Sequence, residues 1–477
     1  MDRLGDFLAE LPSLAVTPAA TPAEVRRAIA AGGPLPEQGR DAAAITADAT
    51  EMLIAQSLLN GHPRFFGYIT SSATPIGALA DLLASSLNCN VGAWKLAPAA
   101  TEIEAQTIRW IAEFIGYRPD CGGLLVSGGN MANFTGFLAA RAAAGGMELR
   151  KQGVRAAKRL RCYCSRETHT WIQKAADMAG LGTDSVRWIA CDSEQRMDMS
   201  ALRAQVEEDI RQGDQPFLVV GTAGGVSTGA VDPLTEIAEF CRERGLWFHV
   251  DGAYGGLAAN VPGAPEELRG LALADSVAID PHKWLYAPLE AGCILVREPK
   301  LLLDAFSYHP PYYNFDGDAI NYFDFGPQNS RGFRALKIWL AFQQAGRRGF
   351  VETIADDIAL AGHAFELFGA HAEFETVRCN LSICTFRYVP SEVRMMPGSE
   401  EREALLNRLN QALLGEIERS GAAFLSNAVV EGKYLLRMCI VNFRTSLEDI
   451  EALPGLIAEL GKRTFASMQA EVGSLGG

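Results

Sequence analysis

The segment VAIDPHKWLYAPLEAG, residues 277–292, places a lysine where few lysines are found. A short apolar run ends at Pro281, and His282 and Lys283 follow it directly, before the apolar stretch WLYAPL. An ammonium group in such surroundings is removed from water and must be neutralised, paired or bonded to another group. Lys283 is therefore a candidate nucleophile whose amine can bond covalently to a carbonyl compound.

Other polar residues stand at the ends of predicted strands. The run WFHVDGAYGG ends a buried strand at Asp251 and continues with small residues, among them Ala253, that let a flat group approach closely. Thr222 ends the strand PFLVVGT, and His169 begins the helix that follows RLRCYCS. Because the carboxyl ends of parallel strands meet at one edge of a sheet, we expect these side chains to share a site with Lys283.

The junction LLVSGGNMANF predicts an anion site. It passes from a strand through Gly129 and Asn130 into a helix, so backbone N–H groups and a helix N-terminus suit a phosphate. Pyridoxal phosphate needs a lysine, a carboxylate at its ring nitrogen, an anion cradle and a group stacked on its ring. The carboxylate of Asp251 would keep the pyridine protonated, because an opposite charge favours the charged form by ~1–3 pKa units. These residues together predict a pyridoxal-phosphate enzyme in which Lys283 carries the cofactor.

The elements that must position these residues alternate between strand and helix from about residue 75 to about residue 345. This alternation predicts an α/β fold with a largely parallel, doubly wound sheet. From about residue 350, helices pair with strands such as NLSICTFRY and YLLRMCIVNF, which indicates a smaller α+β domain. We predict an N-terminal helical segment over 1–74 that packs on a partner subunit, a cofactor-binding domain over 75–348 and a C-terminal domain over 349–477.

Composition excludes several other classes of protein. The chain has 477 residues, with 43 Lys plus Arg against 57 Asp plus Glu, so its net charge of −14 disfavours a nucleic-acid or anionic-membrane partner. No stretch approaches the roughly 18 apolar residues of a membrane span, and the first residues show no signal peptide. The ten cysteines lack the paired spacings of a zinc site, and we expect reduced thiols in the cytoplasm and no metal.

The chain resembles the group II pyridoxal-phosphate decarboxylases, the aromatic-L-amino-acid decarboxylase family. The resemblance runs from HPRFFGY at 62–68 to LLRMCIVNFRT at 435–445 and includes APAATEIE, HVDGAYGG, DPHKWL and SRGFRALKIW in order. It implies the type I pyridoxal-phosphate transferase fold, with helices on both faces of a mostly parallel sheet, and a homodimer with active sites at the interface. It also implies decarboxylation of an L-amino acid, with an aromatic one (tyrosine, dopa, tryptophan or phenylalanine) expected, to the amine and carbon dioxide.

The resemblance also assigns roles to residues. In the family, a mobile loop contributed across the dimer carries a tyrosine that protonates the substrate carbon, and Tyr312 aligns with it. Lys283 is then the Schiff-base lysine, Asp251 pairs with the ring nitrogen and His169 stacks on the ring, so the predicted catalytic residues are Lys283, Tyr312 and His169. The predicted cofactor-binding residues are Lys283, Asp251, Ala253, His169, Thr222, Gly129, Asn130, His282 and Ser330. The predicted substrate-binding residues are Tyr68, Gly92, Trp94 and His282.

The substrate and the product stay open at this point. Gly92 opens space where a bulky aromatic often lines the pocket, whereas Ser330 stands where plant relatives with phenolic substrates have serine. A decarboxylase of an acidic or other non-aromatic amino acid is an alternative, with Arg64 or Arg437 available for a distal carboxylate. A second alternative is an aldehyde-forming decarboxylase-oxidase, against which Tyr312 argues because a phenylalanine-like residue there favours the aldehyde.

Some individual roles are also open. Arg331 either reaches the phosphate or anchors its helix, and Tyr308 and Tyr313 flank Tyr312 as competing proton donors. Each of these residues belongs to a segment that packing alone could explain.

Two rival chemistries and one non-enzymatic function are disfavoured. The string GVSTG at 225–229 matches a hydrolase nucleophile motif, with Ser227 as the nucleophile. That motif must join a strand directly to a helix, whereas PFLVVG ends earlier and the next helix begins near Asp232 or later. His249 and Asp251 share one face of a strand but have no evident third metal ligand. The many polar groups at strand ends disfavour a protein that only binds partners.

Overall fold

The computed structural model describes residues 2–18, 20–154, 158–308 and 319–475. Its residues group into two units, of which the smaller contains Met1–Tyr68, Leu360–Arg378 and Cys384–Gly477. The larger unit contains Ile69–Ala359 and Cys379–Ile383. The first 68 residues thus share a unit with the C-terminal residues, and their packing on a partner subunit stays a prediction.

The larger unit is built on a seven-stranded sheet. In chain order its strands are β1 Gly122–Val126, β2 Leu160–Ser165, β3 Val186–Ile189, β4 Gln215–Thr222, β5 Trp247–Asp251, β6 Ser276–Ile279 and β7 Gly292–Val296. Their order in the sheet is β1-β7-β6-β5-β4-β2-β3. The pairs among β2 to β6 are parallel, whereas β7 is antiparallel to both β1 and β6. The predicted α/β class with a mostly parallel sheet is confirmed.

Helices connect these strands and flank them along the chain. In chain order they are α1 Asp2–Glu10, α2 Pro22–Ala28, α3 Ala42–Gln56, α4 Pro75–Leu87, α5 Pro98–Ile115, α6 Gly129–Gln152, α7 Trp171–Met178, α8 Met199–Arg211, α9 Leu234–Arg244, α10 Pro281–Trp284, α11 Pro299–Phe306, α12 Ala335–Ala370, α13 Ser391–Arg394, α14 Glu400–Ser420, α15 Leu447–Glu451 and α16 Leu453–Leu475. Helix α6 packs against β6 and β7, and α9 packs against β4 and β5. None of the helices within the described residues is long and apolar enough to cross a membrane.

Local sequence explains where the helices next to the sheet begin and end. Helix α5 begins with Pro98, whose missing N–H costs nothing in a first turn, and ends before Gly116, which adopts φ +76°. Helix α8 is capped by Asp198, whose side chain accepts from the backbone N–H groups of Ser200 and Ala201. These ends fix the lengths of the connections and therefore which residues follow each strand.

A second sheet has four strands near the C-terminus. Its strands are β8 Phe374–Asn380, β9 Ile383–Tyr388, β10 Ser426–Val430 and β11 Lys433–Cys439. Their order is β10-β11-β9-β8, and β10 and β11 form an antiparallel pair. This sheet, with α14 and α16, gives the C-terminal residues the α+β character expected from the sequence.

Candidate active site

A cavity of about 330 Å³ opens in the larger unit among residues that follow the carboxyl ends of its strands. Eight of the residues predicted to bind the cofactor line this cavity: Gly129, Asn130, His169, Thr222, Asp251, Ala253, His282 and Lys283. They come from the ends of β1, β2, β4, β5 and β6, so the sheet brings together groups that are far apart in the sequence. This clustering at the strand ends is where ligands bind in doubly wound sheets.

Lys283 is held in place by an acidic neighbour. It lies on the short helix α10, and its Nζ is 3.2 Å from Oδ2 of Asp280, the residue that ends the preceding extended segment. Burial raises the pKa of Asp280, and the positive charge of Lys283 opposes that rise. Within the described residues, the buried Oδ1 of Asp280 has no hydrogen-bond partner. The Lys283 side chain is 20% exposed, so its ammonium is paired with Asp280 at the cavity wall and is less exposed than that of a surface lysine.

Asp251 is fixed from two sides. It ends β5 and pairs with Thr222 of β4 and with Ala278 of β6 in the parallel ladder. Its Oδ2 accepts a hydrogen bond of 2.7 Å from Nε1 of Trp171, and its Oδ1 accepts one of 3.2 Å from the N–H of Ala253. Because β5 and β6 are adjacent and parallel, their ends deliver this carboxylate and Lys283 to the same cavity.

His169 and Thr222 stand beside Asp251. The His169 side chain faces the cavity, and the surrounding protein still lowers its pKa by desolvation, with the charge of Asp251 acting in the opposite direction. The imidazole is therefore uncharged at neutral pH and can offer a flat face to a ring. Thr222 has its Oγ1 3.2 Å from that of Thr168, and its backbone N–H donates to the buried carboxylate of Asp232.

The turn between β1 and α6 has the form of an anion cradle. Gly128 adopts φ +86°, and a Cβ at Gly129 would lie 2.5 Å from Oδ2 of Asp280, so a side chain at 129 would force that carboxylate to move. Helix α6 begins at Gly129 and is interrupted by non-helical backbone at Gly146, and its N-terminus directs the positive end of its dipole at the cavity. Together with a paired lysine, a buried carboxylate and a flat imidazole, this cradle fits pyridoxal phosphate.

Four other predicted residues lie elsewhere or carry a different role. Ser330 is exposed and does not line the cavity, and Trp94 donates from Nε1 to Glu102. Gly92 is required by chain packing, since a Cβ there would collide with the carbonyl of Asn329, so its lack of a side chain does not by itself indicate an open pocket. Tyr68 belongs to the smaller unit, where its side chain is exposed and its carbonyl accepts from Arg437.

The predicted proton donor cannot be placed. Tyr312 and its neighbour Tyr313 lie outside the described residues, which omit 309–318. Tyr308 is described and exposed, and the guanidinium of Arg150 lies 4.4 Å from its ring centre. The choice among these tyrosines therefore stays a prediction.

The contacts of Arg331 favour an anchoring role over contact with a phosphate. It is buried, pairs with Glu104, and donates to the carbonyls of Val91 and Leu125 at 2.9 and 2.7 Å. Arg331 thus anchors the chain around β1 and does not line the cavity.

The disfavoured chemistries find no support among the described residues. Residues 225–229 form a turn closed by the N–H of Gly229 on the carbonyl of Gly225, and α9 begins only at Leu234, so Ser227 is not on a nucleophile elbow. His249 is fully buried and engaged by Ser276 and Asn133. Across the ranges that the structure describes, no group of three His, Cys, Asp or Glu residues could hold a metal ion.

Several residues of the cavity were not predicted to bind the cofactor or the substrate. Asn133, Glu167 and Tyr254 line it. Trp171 donates to Asp251, and Asp232 accepts from the N–H of Thr222. Glu167 and Trp171 stand two residues on either side of His169, so proximity in sequence was a usable signal for them. Asp232 gave no such signal, because its contact with Thr222 depends on a loop between them.

Comparison with known proteins gives one consistent family. A model of the "Pyridoxal-dependent decarboxylase conserved domain" matches residues 24–389. The chain is 34% identical over 422 residues to an aromatic-L-amino-acid decarboxylase of Bacillus atrophaeus, covering 87% of this chain and 85% of the relative. It is 29% identical over 434 residues to a 4-hydroxyphenylacetaldehyde synthase of Rhodiola rosea, covering 89% and 86%. The crystal structure of Oryza sativa TDC with PLP and tryptamine matches with a TM-score of 0.89 at 25% identity, covering 97% of this chain and 96% of that one.

Proposed function

Because the chain belongs to the pyridoxal-dependent decarboxylase family and is a pyridoxal-phosphate-dependent carboxy-lyase, we propose that its substrate is an aromatic L-amino acid, converted to the amine and carbon dioxide. The candidates are tyrosine, dopa, tryptophan and phenylalanine. The names of the relatives support an aromatic substrate, and so does the charge of the cavity.

The observation that carries this proposal is the shortage of cations at the site. Among the described residues, Lys283 is the one lysine or arginine that lines the cavity, and it is already paired with Asp280. Glu167 and Asp251 add two further carboxyl groups. A substrate with a distal carboxylate would meet like charges and no unpaired cation, which costs free energy in a partly buried site.

The remaining wall of the cavity suits an aromatic ring. Ile69, Val226 and Tyr254 line it with apolar and aromatic surface. Tyr254 is buried and its hydroxyl is 2.8 Å from Oγ of Ser382, so its ring is held rigidly. Rigid apolar surface binds a flat ring at a low cost in side-chain entropy.

When bound, pyridoxal phosphate supplies an aldehyde that bonds to an amine and a pyridinium ring that withdraws electrons from the substrate Cα. We propose that Lys283 carries the cofactor, and that Asp280 steadies its amine between turnovers. Asp251 would hold the proton of the ring nitrogen, and His169 would cover one face of the ring and exclude water from it. Tyr312 would return the proton to Cα.

Further contacts complete the proposed site. Gly129, Asn130 and His282 would bind the phosphate, with Thr222 and Ala253 beside the ring. Ser330 is proposed as a further cofactor contact, and the proposed substrate contacts are Tyr68, Gly92, Trp94 and His282.

We propose that the protein acts as a homodimer in the cytoplasm, with active sites at the interface. Helix α4 exposes four leucines on the larger unit: Leu79, Leu82, Leu83 and Leu87. Such a group of apolar side chains is more typical of an interface than of a surface that stays in water. A second copy of the chain would cover them.

Carbon dioxide release from the purified holoenzyme tests the substrate. We expect the best aromatic amino acid to exceed glutamate and aspartate in kcat/KM by about 100-fold, since an unpaired charge at the site costs roughly 3 kcal/mol. A higher kcat/KM for an acidic amino acid would contradict the proposal.

The second candidate function is aldehyde formation, which the Rhodiola rosea relative's name favours. The same reactions are assayed for amine, aldehyde and oxygen uptake. Amine in proportion to carbon dioxide supports plain decarboxylation, and aldehyde with oxygen uptake supports the alternative.

A further inference from the structure

Trp171 is a buried residue that contacts two residues of the proposed cofactor site. It begins α7 and is 1% exposed. Its indole Nε1 donates to Oδ2 of Asp251 at 2.7 Å, and its backbone N–H donates to Nδ1 of His169 at 3.3 Å. We propose that Trp171 is a positioning residue that fixes the Asp251 carboxylate for the ring nitrogen of the cofactor; this inference rests on the proposed role of Asp251.

The first argument is geometric. A carboxylate can rotate about its last bond, so one hydrogen bond alone leaves its plane loosely defined. Asp251 accepts from Trp171 on Oδ2 and from the N–H of Ala253 on Oδ1, and these donors come from separate segments. Two donors fix the plane, and each oxygen keeps a lone pair for another partner.

The second argument concerns charge. An indole N–H is a donor that cannot ionise in the physiological range, so it holds a carboxylate without neutralising it. An arginine or lysine in the place of Trp171 would form an ion pair with Asp251 and compete with a protonated pyridine. Trp171 therefore orients Asp251 while leaving its negative charge for the cofactor.

The third argument is that the nearest other candidate donor is already engaged. His249 lies two residues before Asp251, so both side chains leave β5 on the same face. Its ring nitrogens are 2.7 Å from Oγ of Ser276 and 2.7 Å from Oδ1 of Asn133, and burial lowers its pKa to about 4. The uncharged His249 ring instead supports Trp171, with the two rings edge to face at 5.7 Å and 77°.

The test replaces Trp171 by phenylalanine, which keeps a ring but removes the N–H. We expect the Kd for pyridoxal phosphate to rise about tenfold, kcat to fall about tenfold or more and KM to change less than about threefold, as for loss of a hydrogen bond to a charged group. The visible absorption spectrum of the bound cofactor should also shift. A structural role alone would not move that spectrum.

Trp339→Phe is the matched control. Trp339 lies on α12, and its Nε1 donates a hydrogen bond of 2.7 Å to Gln106. This bond is as long as the one from Trp171 to Asp251, but neither Trp339 nor Gln106 lines the cavity. We expect W339F to keep the spectrum, the Kd and kcat of the wild type. Trp171→His restores a ring N–H and should recover part of what W171F loses.

The outcomes separate this inference from the role proposed for Asp251. If D251N alters the cofactor spectrum while W171F matches the wild type in spectrum, Kd and kcat, the inference is overturned and the role of Asp251 stands. If D251N leaves the spectrum unchanged, the role of Asp251 itself fails. Should W171F not fold, the indole N–H resonance of Trp171 in the wild type decides, because it must move on adding pyridoxal phosphate, and an unmoved resonance overturns the inference.

Discussion

Lys283 and Asp251 follow neighbouring strands, and each is held by a different partner. Asp280 pairs with the lysine at 3.2 Å, and the indole of Trp171 holds the aspartate at 2.7 Å. The first contact joins opposite charges, whereas the second leaves the charge of the carboxylate free. The amine of Lys283 and the carboxylate of Asp251 can therefore face one ligand without neutralising each other.

Replacing Lys283 by alanine should abolish the proposed covalent attachment of the cofactor. We expect kcat to fall by on the order of 10⁴-fold, as when a nucleophile is removed. Lys283→Arg keeps a cation beside Asp280 but lacks the reactive amine, so it should lose as much activity as the alanine variant. Activity of K283R near the wild-type value, measured by carbon dioxide release, would contradict the assignment.

Replacing Glu167 by glutamine should relax the proposed bias against acidic substrates. Removing one negative charge from the cavity lowers the repulsion of a distal carboxylate by about 1 kcal/mol, which predicts about a fivefold gain in kcat/KM for glutamate. Tyrosine should change little, because its side chain is uncharged at neutral pH. Glu113→Gln, an exposed change that does not line this cavity, is the control and should leave both values unaltered.

At the residue scale, much of the candidate site could be predicted from strand ends. Asp251, Thr222 and Lys283 follow apolar runs, and parallel strands bring such ends together. The partners could not be predicted, because Asp280 and Trp171 act through side-chain directions that the local pattern does not contain. Gly92 stays a predicted substrate contact, and its missing side chain also serves chain packing against Asn329.

At the scale of elements, Asp232 joins two segments of the larger unit. Its Oδ2 accepts from the N–H of Thr222 at the end of β4, and its Oδ1 accepts from the N–H of Met197 before α8. The carboxyl is fully buried, and burial raises its pKa to about 6. It thereby fixes the end of β4 beside the cavity without lining it.

This burial predicts a pH dependence of stability. The folded-state pKa of Asp232 is about 6 and its ordinary value is 3.8, so the folded state binds the proton more tightly. Protonation of Asp232 therefore contributes roughly 3 kcal/mol to the free energy of unfolding. This contribution is fully present below about pH 4 and is lost as the pH rises to about 6. Asp232→Asn should lack this dependence.

Urea unfolding of both proteins at several pH values between 4 and 7 measures the effect. At neutral pH the asparagine side chain can accept only one of the two backbone hydrogen bonds that Asp232 accepts, because its amide has a single oxygen. The other N–H stays buried without an acceptor, which lowers the free energy of unfolding by about 1–3 kcal/mol. A wild-type curve parallel to that of D232N across this range would contradict the predicted linkage.

The predicted parallel strands and β7, which was not predicted, differ in length and in their sequence surroundings. The parallel strands follow clear apolar runs between helical segments, whereas β7 is a five-residue run, GCILV, close behind the lysine turn. A short apolar run of this kind does not reveal its direction or its partners. Its antiparallel position between β1 and β6 depends on pairings distant in sequence.

At the scale of the whole molecule, the proposed dimer must form despite a net charge of −14 on each chain. Two such chains repel one another, and salt screens that repulsion. The attraction must come from apolar surface such as the leucines of α4. Dimerisation should therefore tighten with added salt.

Leu82→Glu should shift the dimer to monomer. Leu82 is 57% exposed on α4, so a charge there does not disturb the fold of the larger unit but opposes burial by a second chain. Met395→Glu, at a position 86% exposed, is the control. Light scattering should find a monomer for L82E and a dimer for M395E, and a dimer for both would exclude α4 from the interface.

The close approach of Gly129 to the carboxylate of Asp280 has a consequence for how this chain can change over generations. A methyl group at 129 and the carboxylate of Asp280 would occupy the same space. A substitution at one of these positions therefore depends on the residue at the other. Alanine at 129 should be tolerated better when the side chain at 280 is shortened as well, because the Asp280 carboxylate otherwise has to move. The segment proposed to bind the phosphate and the segment proposed to carry the cofactor therefore constrain each other's sequence.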